Sequence, residues 1–392
     1  MDRLLASRER HGFEAPPWQA TLEATSYQSI GQLEKERASI FATFPLAVGH
    51  VSELPQKGDY LTTSAAGRPL IVLRDDQGQV RAFLNACRHR GAQLLSEPKG
   101  TVKKRLVCPY HAWSYGLSGE LLHVPRQEAF PRLDQAVSGL VALPTSVRHG
   151  FIWVVPSPNA TVEIGRYLGG LDEDLAGLGL DAHVALKKVI RRGRANWKLL
   201  IDAFLEGYHA RFLHQRSLGR FFSDEVIYDL FGRHVRSCGA RVELKGLPAI
   251  ARESWDLRAT TTLFYFLFPN TILVFHPDWV TFLSVFPESA GELSYTHTML
   301  VAPDRLGEAD RPRLEKSFQL IEETVFARED LAMAESIQRS LGSGANRQFQ
   351  VGSLERPLWA FHQSIESALL AAEPVGHQVG LAVLGKEPAF SR

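Results

Sequence analysis

Cys87-Arg88-His89 and, eighteen residues later, Cys108-Pro109-Tyr110-His111 decide how this chain reads. Each stretch sets one thiolate beside one imidazole, so a single loop can supply two metal ligands. Four such ligands suit a two-iron, two-sulfide centre in which two Cys hold one iron and two His the other. Imidazole in place of thiolate leaves that iron less negatively charged and raises the reduction potential. A centre of this kind carries one electron at a time, so an acceptor is expected elsewhere in the chain.

Two Cys and two His also satisfy a tetrahedral zinc site. Zinc fingers, however, commonly pair their ligands by type, two Cys in one knuckle and two His in the other. Here each type is split between the loops. His89 is followed by Arg90-Gly91-Ala92, and His111 by Ala112-Trp113-Ser114-Tyr115. Gly91 frees the loop backbone and Pro109 stiffens it, as a loop folding around a cluster requires. The iron-sulfur reading is the better one.

At 392 residues the chain exceeds one ordinary core, and its length predicts about two to three domains. A hydrophobic share of 45% and a charged share of 22% are ordinary for a soluble globular protein. The net charge of +1 gives no electrostatic case for nucleic acid or an acidic membrane surface. The sequence holds no apolar run long enough to cross a membrane, and Met1-Asp2-Arg3-Leu4-Leu5 lacks the apolar core of a signal peptide. Of three Cys, two are claimed by the cluster. With no disulfide framework, a cytoplasmic location is expected. Cys238 is expected to be a small buried hydrophobe.

Residues 1–45 read as irregular chain followed by a helix that Ser29 caps and that runs through Gln32, Leu33, Glu34 and Ile40. From 46 to 155 short strands dominate. Leu70-Ile71-Val72-Leu73 and the alternating Val80-Arg81-Ala82-Phe83-Leu84 flank a turn at Asp75-Asp76-Gln77-Gly78, which predicts a hairpin. Phe151 to Val155 closes this region before Pro156, and both ligand pairs fall at strand ends or hairpin tips. The remainder, 156–392, reads as a larger α+β domain. It has a helix over 196–214, strands over 226–302, a long helix from Pro312 to Leu341 and a last helix over 357–372.

The helix near 200 carries His209 and His214. Five residues apart on a regular helix they would point about 140° apart. They can share a metal only if the helix ends, bulges or kinks between them. An oxygen-activating non-haem iron takes two His and one carboxylate on one face, leaving positions open. The missing carboxylate is expected at Arg328-Glu329-Asp330-Leu331, where acidic residues interrupt the amphipathic pattern of the long helix.

With both constellations on one chain, the sequence resembles the oxygenase component (α subunit) of the Rieske non-haem iron ring-hydroxylating oxygenases. The resemblance runs from Ile40-Phe41, Val48-Gly49-His50 and Gly58-Asp59-Tyr60 through Asn85 to Ala92 and Cys108 to Tyr115. It continues with Asn196-Trp197-Lys198, Glu206-Gly207-Tyr208-His209 with His214, and Glu329-Asp330 with Glu335, Gln338 and Gly342. It implies a small all-β Rieske [2Fe-2S] domain (46–155) and a helix-grip-like catalytic domain with a central antiparallel sheet (156–392). Residues 1–45 would pack on the latter as a helical segment. It also implies that Cys87, His89, Cys108 and His111 hold the cluster, and that His209, His214 and Asp330 hold a mononuclear Fe(II).

In one respect the chain departs from the family. An Asp usually stands three residues before the first iron His and links that iron to the neighbouring subunit's Rieske centre, and here the residue is Glu206. Glu still accepts a hydrogen bond on each side. Some members acting on quaternary ammonium compounds also carry Glu at this position, and Asp202 ranks second for the coupling role.

The resemblance further implies a homotrimer, with O2 as co-substrate. Electrons would come from NAD(P)H through a separate reductase and, in some systems, a ferredoxin. The product would be a hydroxylated, dihydroxylated or dealkylated small organic molecule. Aromatics at Phe264, Phe266, Phe268, Phe275, Trp279, Phe282 and Phe286 are expected mostly to fill the core. The rest would pack on a planar ring or surround a trimethylammonium group. His276 and His297 could line the site. Two other readings compete: a Rieske-type electron carrier, which about a hundred residues would serve, and a zinc-stabilised binding protein.

Overall fold

In the computed structural model, residues 1–9, 17–161, 163–249 and 251–372 are described. The expected hairpin forms as strands Arg68–Arg74 and Val80–Leu84, with Leu73 opposite Arg81. Its turn is organised by the buried Asp75 carboxylate, whose Oδ1 accepts from the backbone N–H of Gln77 at 2.9 Å and of Gln79 at 2.8 Å. The Arg81 guanidinium takes the other oxygen. The hairpin is the centre of a five-stranded sheet completed by Asp59–Ala65, Lys99–Thr101 and Ala142–Leu143. Phe151–Val154 pairs with Leu46–His50, bringing the two ends of this all-β unit together. A third, small sheet of Leu106–Val107, Ser114–Tyr115 and Leu121–His123 carries the second ligand loop.

The second unit is built on a seven-stranded antiparallel sheet. Its spatial order is Val184–Gly193, Glu292–Val301, Val280–Ser289, Thr271–Phe275, Thr261–Leu267, His234–Arg241 and Phe222–Phe231. The three strands over 271–301 are buried along most of their length, as expected for apolar runs covered on both faces. The edge strand Val184–Gly193 was not foreseen. Its Lys187-Lys188 and Arg191-Arg192 pairs leave no apolar run, because an edge position is only half buried.

The helix expected over 196–214 is interrupted. It runs from Trp197 to Leu205, and Glu206 is extended at φ −134° and ψ 144°. A single further turn, Ala210–Leu213, follows. The long helix forms from Arg311 to Leu341, with its middle, Leu320–Leu331, wound in wide i→i+5 turns. Such widened turns occur frequently at functional sites.

Near the N-terminus, Asp2–Glu9 is helical and Leu4 packs with Ile227 and Cys238, where irregular chain was expected. Gln19–Glu23 pairs antiparallel with Gln348–Gly352. Ser29 caps Ile30–Glu36 as expected, its side chain accepting from Gln32 N–H. That helix reaches the sheet domain through Glu36. Its carboxylate takes Lys198 Nζ at 2.6 Å and Trp197 Nε1 at 2.8 Å, with both charged side chains at most 1% exposed. Asn196, beside them, caps the helix by accepting from Lys198 N–H. The motif Asn196-Trp197-Lys198 is thus a clamp on the N-terminal segment, not part of the metal chemistry.

Candidate metal centres

The two Cys-His loops have the same backbone. Cys87 N–H donates to Ala92 O and Gly91 N–H to Cys87 O, both at 2.8 Å. Cys108 N–H donates to Trp113 O at 2.8 Å and Ala112 N–H to Cys108 O at 3.0 Å. The fifth residue of each loop is left-handed, Gly91 at φ 78° and Ala112 at φ 58°. Gly adopts this region freely, whereas Ala does so at a cost.

These loops bring the four donors together. Both thiols are buried and free of disulfides. The His89 and His111 ring centroids lie 4.7 Å apart, and His89 stacks on Trp113 at 4.9 Å with 7° between the planes. The Nδ1 atoms of His89 and His111 are buried with no hydrogen-bond partner among the described residues. Two orphaned imidazole nitrogens beside two buried thiols fit a cluster held by two Cys and two His. Tyr115 OH braces the first loop, 3.2 Å from Cys87 Sγ and 3.0 Å from Arg88 N–H, which donates to it. Burial pushes the Cys87 thiol up, against the pull of the Tyr115 hydrogen bond. Iron would offset that cost by holding the thiolate.

The chain break at Glu206 resolves the 140° problem. His209 precedes the short turn Ala210–Leu213 and His214 ends it, so both rings face one point. Their centroids are 5.1 Å apart. From the wide-turned helix, Asp330 Oδ1 approaches His209 Nε2 at 3.6 Å and His214 Nε2 at 3.2 Å. Oδ1 is buried and makes no hydrogen bond to either ring or to any other described residue. One ligand atom from each of the three residues lies within 4.8 Å of the others. Close but unaligned donors of this kind suit a shared cation, and two His with one carboxylate is the facial iron set.

Both imidazoles are fixed from behind. His209 Nδ1 lies 2.5 Å from Glu206 Oε1, and His214 Nδ1 lies 2.7 Å from Glu329 Oε2. Each carboxylate fixes a tautomer with Nε2 toward the site. Burial lowers both imidazoles, but the carboxylates of Glu206, Asp330 and Glu329 outweigh it and hold them above their ordinary range. The same negative potential attracts a metal cation. Asp202, by contrast, is occupied within the chain, by Tyr27 OH at 2.7 Å and His362 Nε2 at 2.9 Å.

With two such sites in this order, comparison with known proteins is direct. Residues 44–142 match the family described as Rieske [2Fe-2S] domain, and residues 180–371 match the ring hydroxylating alpha subunit (catalytic domain). The chain belongs to the Rieske non-haem iron oxygenases.

This Rieske oxygenase is 29% identical over 350 residues to the carnitine monooxygenase oxygenase subunit of Escherichia coli, covering 86% of this chain and 88% of the relative. Over 184 residues it is 40% identical to the glycine betaine monooxygenase oxygenase subunit of Chromohalobacter salexigens, 47% of this chain and 40% of the relative. Among solved structures, a quaternary ammonium Rieske monooxygenase superposes with a TM-score of 0.78 at 25% identity, over 89% of this chain and 95% of that one. Naphthalene 1,2-dioxygenase from Rhodococcus sp. has the same fold, with a TM-score of 0.77 at 20% identity over 95% and 98%. The oxygenase is an oxidoreductase that uses O2, with a Rieske cluster and a mononuclear iron as cofactors.

Two cavities meet at Glu206, His209 and Asp330. One of about 730 Å³ also borders Tyr27, Asp202, Met333 and Ile337. The other, of about 580 Å³, reaches under the sheet. Of the seven sheet aromatics, Phe264 and Trp279 line this inner cavity, while Phe266, Phe268, Phe275, Phe282 and Phe286 are core. His276 lines it and His297 does not. Tyr208, Phe212, Phe222, Phe326 and Arg241 also face it. Sequence reasoning missed Phe222, Phe326 and Arg241 because they converge from separate elements, and it gave Tyr208 as part of a motif without assigning it to a cavity wall. Arg241 sits against Phe221 and Phe222, and its buried Nε pairs with Glu243 Oε2 at 3.7 Å but has no hydrogen-bond partner among the described residues.

Proposed function

We propose that this oxygenase hydroxylates a small quaternary ammonium compound that carries a carboxylate. The carrying observation is the inner cavity beside His209, His214 and Asp330, whose aromatic walls also hold Arg241, its Nε 3.7 Å from the half-exposed Glu243 carboxylate and without a hydrogen bond among the described residues. Aromatic faces attract a trimethylammonium group, which has no N–H to hydrogen-bond. Arg241 supplies the complementary donor for a carboxylate. The likeness to carnitine and glycine betaine monooxygenase subunits supports this reading over an arene.

In this account Cys87, His89, Cys108 and His111 hold the cluster, and His209, His214 and Asp330 hold the iron. When bound, the cluster passes electrons singly and the iron activates oxygen. Glu206 holds His209 through both Nδ1 and the backbone N–H and stands between the two cavities. It therefore suits the role of link from the iron to the cluster of a neighbouring protomer. Met333 and Ile337, 46% and 37% exposed, offer an apolar rim beside the outer cavity for that protomer in a homotrimer. Residues 46–155 would be the electron-carrying domain and 156–392 the oxygen-activating one, with 1–45 clamped on the latter. A separate reductase supplies electrons from NAD(P)H.

Hydroxylation of a carbon bonded to the quaternary nitrogen gives an adduct whose C–N bond breaks, releasing an aldehyde and a tertiary amine. The test is oxygen uptake with a surrogate reductase and L-carnitine, γ-butyrobetaine, glycine betaine, choline or naphthalene. Amine and aldehyde formed in step with oxygen uptake support the proposal. Coupled turnover of naphthalene alone, giving a diol, would overturn it.

A further inference from the structure

Behind the inner cavity runs a line of buried polar groups that the iron site does not use. Arg191 Nε donates to Glu322 Oε1 at 2.8 Å, and Tyr295 OH donates to the same oxygen at 3.1 Å. Glu322 Oε2 lies 2.8 Å from His297 Nδ1. His297 Nε2 lies 3.1 Å from Thr281 Oγ1, which is in turn 2.9 Å from His276 Nε2. Glu322, His297 and Thr281 are at most 1% exposed. The elements that place them are the wide-turned helix, two adjacent strands, and the end of the strand Thr271–Phe275.

Proton positions along this line follow from one end. Burial pushes Glu322 up, but hydrogen bonds from His297 and Arg191 outweigh it and keep the carboxyl below its ordinary range. A carboxylate only accepts, so His297 Nδ1 carries a hydrogen. Burial lowers His297 and keeps its ring neutral, which leaves Nε2 bare. Thr281 must then donate its hydroxyl hydrogen to His297 Nε2, and its oxygen accepts from His276 Nε2–H. A neutral imidazole has one hydrogen, so His276 Nδ1 is left as an acceptor.

That acceptor is available. His276 lines the inner cavity, and its Nδ1 makes no hydrogen bond among the described residues. Its ring is held by stacking on Trp279, with centroids 4.0 Å apart, and Trp279 is fixed by Nε1 donating to Ser317 Oγ at 3.0 Å. Burial holds His276 at about 3, so the ring stays neutral.

We propose that His276 is a specificity-determining residue whose Nδ1 accepts a hydrogen bond from a hydroxyl of the substrate, with Thr281, His297 and Glu322 as positioning residues. The proposal rests on the quaternary ammonium reading. A trimethylammonium group has no N–H and a carboxylate has no O–H at neutral pH, so the only donor such a substrate can offer is an alcohol. The class selected is therefore a hydroxylated quaternary ammonium carboxylate. The carboxylate itself is kept from the His276 lone pair and directed to Arg241.

L-carnitine and γ-butyrobetaine differ by one hydroxyl and form the natural test pair. In the wild-type holoenzyme KM is expected to be about tenfold lower for L-carnitine, the size of one hydrogen bond with its acceptor otherwise unmet, with kcat little changed. His276→Phe should bring the two KM values together, chiefly by raising that for L-carnitine. Thr281→Val should do the same while leaving His276 in place, and Thr281→Ser should restore the preference. Equal KM values in the wild type, or a preference that survives in His276→Phe, would overturn the inference and leave the quaternary ammonium reading intact. Consumption of neither compound, with naphthalene turned over, would instead remove that reading and this inference with it.

Discussion

Glu329 and Asp330, neighbours in sequence, flank one imidazole on its two sides. Glu329 Oε2 lies 2.7 Å from His214 Nδ1, and Asp330 Oδ1 lies 3.2 Å from His214 Nε2. On a regular helix consecutive side chains diverge by about 100°. Here they converge on one ring from the stretch wound in wide turns, where His214 is brought between them.

Glu329 would then act on a bound iron through His214, with Ser217 Oγ donating to the same oxygen at 2.7 Å. Glu329→Ala should lower iron affinity about 10–100-fold, the usual effect of losing a carboxylate behind a histidine ligand. Chelator titration of the mononuclear iron checks this. An unchanged midpoint would show that Glu329 merely packs there.

The clamp between Glu36 and Lys198 predicts asymmetric energetics. Lys198→Met leaves the buried Glu36 carboxylate unpaired and should cost about 3–5 kcal/mol. Adding Glu36→Leu should recover much of that loss, because no lone charge is then buried. Denaturant unfolding of the single and double variants decides it. A double variant less stable than Lys198→Met would contradict this account.

Much of this was legible in the sequence because the proposed metal ligands are close in sequence and chemically distinctive. Cys87, His89, Cys108 and His111 sit on two loops that one hairpin tip and one small sheet suffice to place. His209, His214 and Asp330 were legible as residue types, but the means of joining them was not. The break at Glu206 follows no proline, and the widening over Leu320–Leu331 leaves no mark in an amphipathic pattern. Arg241 and Phe326 were invisible for another reason. A cavity wall is assembled from distant elements, and alternation along a strand reports which face is buried, not what it is buried against. The edge strand Val184–Gly193 was hidden by its own lysines and arginines.

The buried imidazole of His234 makes stability acid-sensitive. Its Nε2–H donates to Tyr167 O at 2.9 Å and its Nδ1 accepts from Phe268 N–H at 3.1 Å, so only the neutral ring fits. Burial lowers it to about 4, against about 6.5 when unfolded. Between those values the unfolded chain binds more protons, so stability is full above about pH 6.5 and is lost as pH falls toward 4. The loss is on the order of 3 kcal/mol. Unfolding free energy against pH should show a shallower slope in His234→Asn. An unchanged slope would assign the acid sensitivity to other groups.

The paired ligand loops predict opposite effects of one methyl group. Ala112 is left-handed at φ 58°, where the other loop has Gly91 at φ 78°. Gly91→Ala should destabilise the first loop by about 1–2 kcal/mol. Ala112→Gly should stabilise the second, by less than that because glycine also gains freedom in the unfolded chain. Rates of cluster loss in mild denaturant report both. Faster loss in Ala112→Gly would contradict the assignment of strain.

The central claim is that one chain holds two separate iron sites, with His209 serving only the second. The most direct test is iron and acid-labile sulfide per chain, with an EPR spectrum of the dithionite-reduced protein, for wild type and His209→Ala. The account predicts roughly three irons and two sulfides in the wild type. In the variant it predicts loss of about one iron, with the sulfide and the Rieske signal unchanged. Equal iron in both proteins, or loss of sulfide together with iron in the variant, would contradict it.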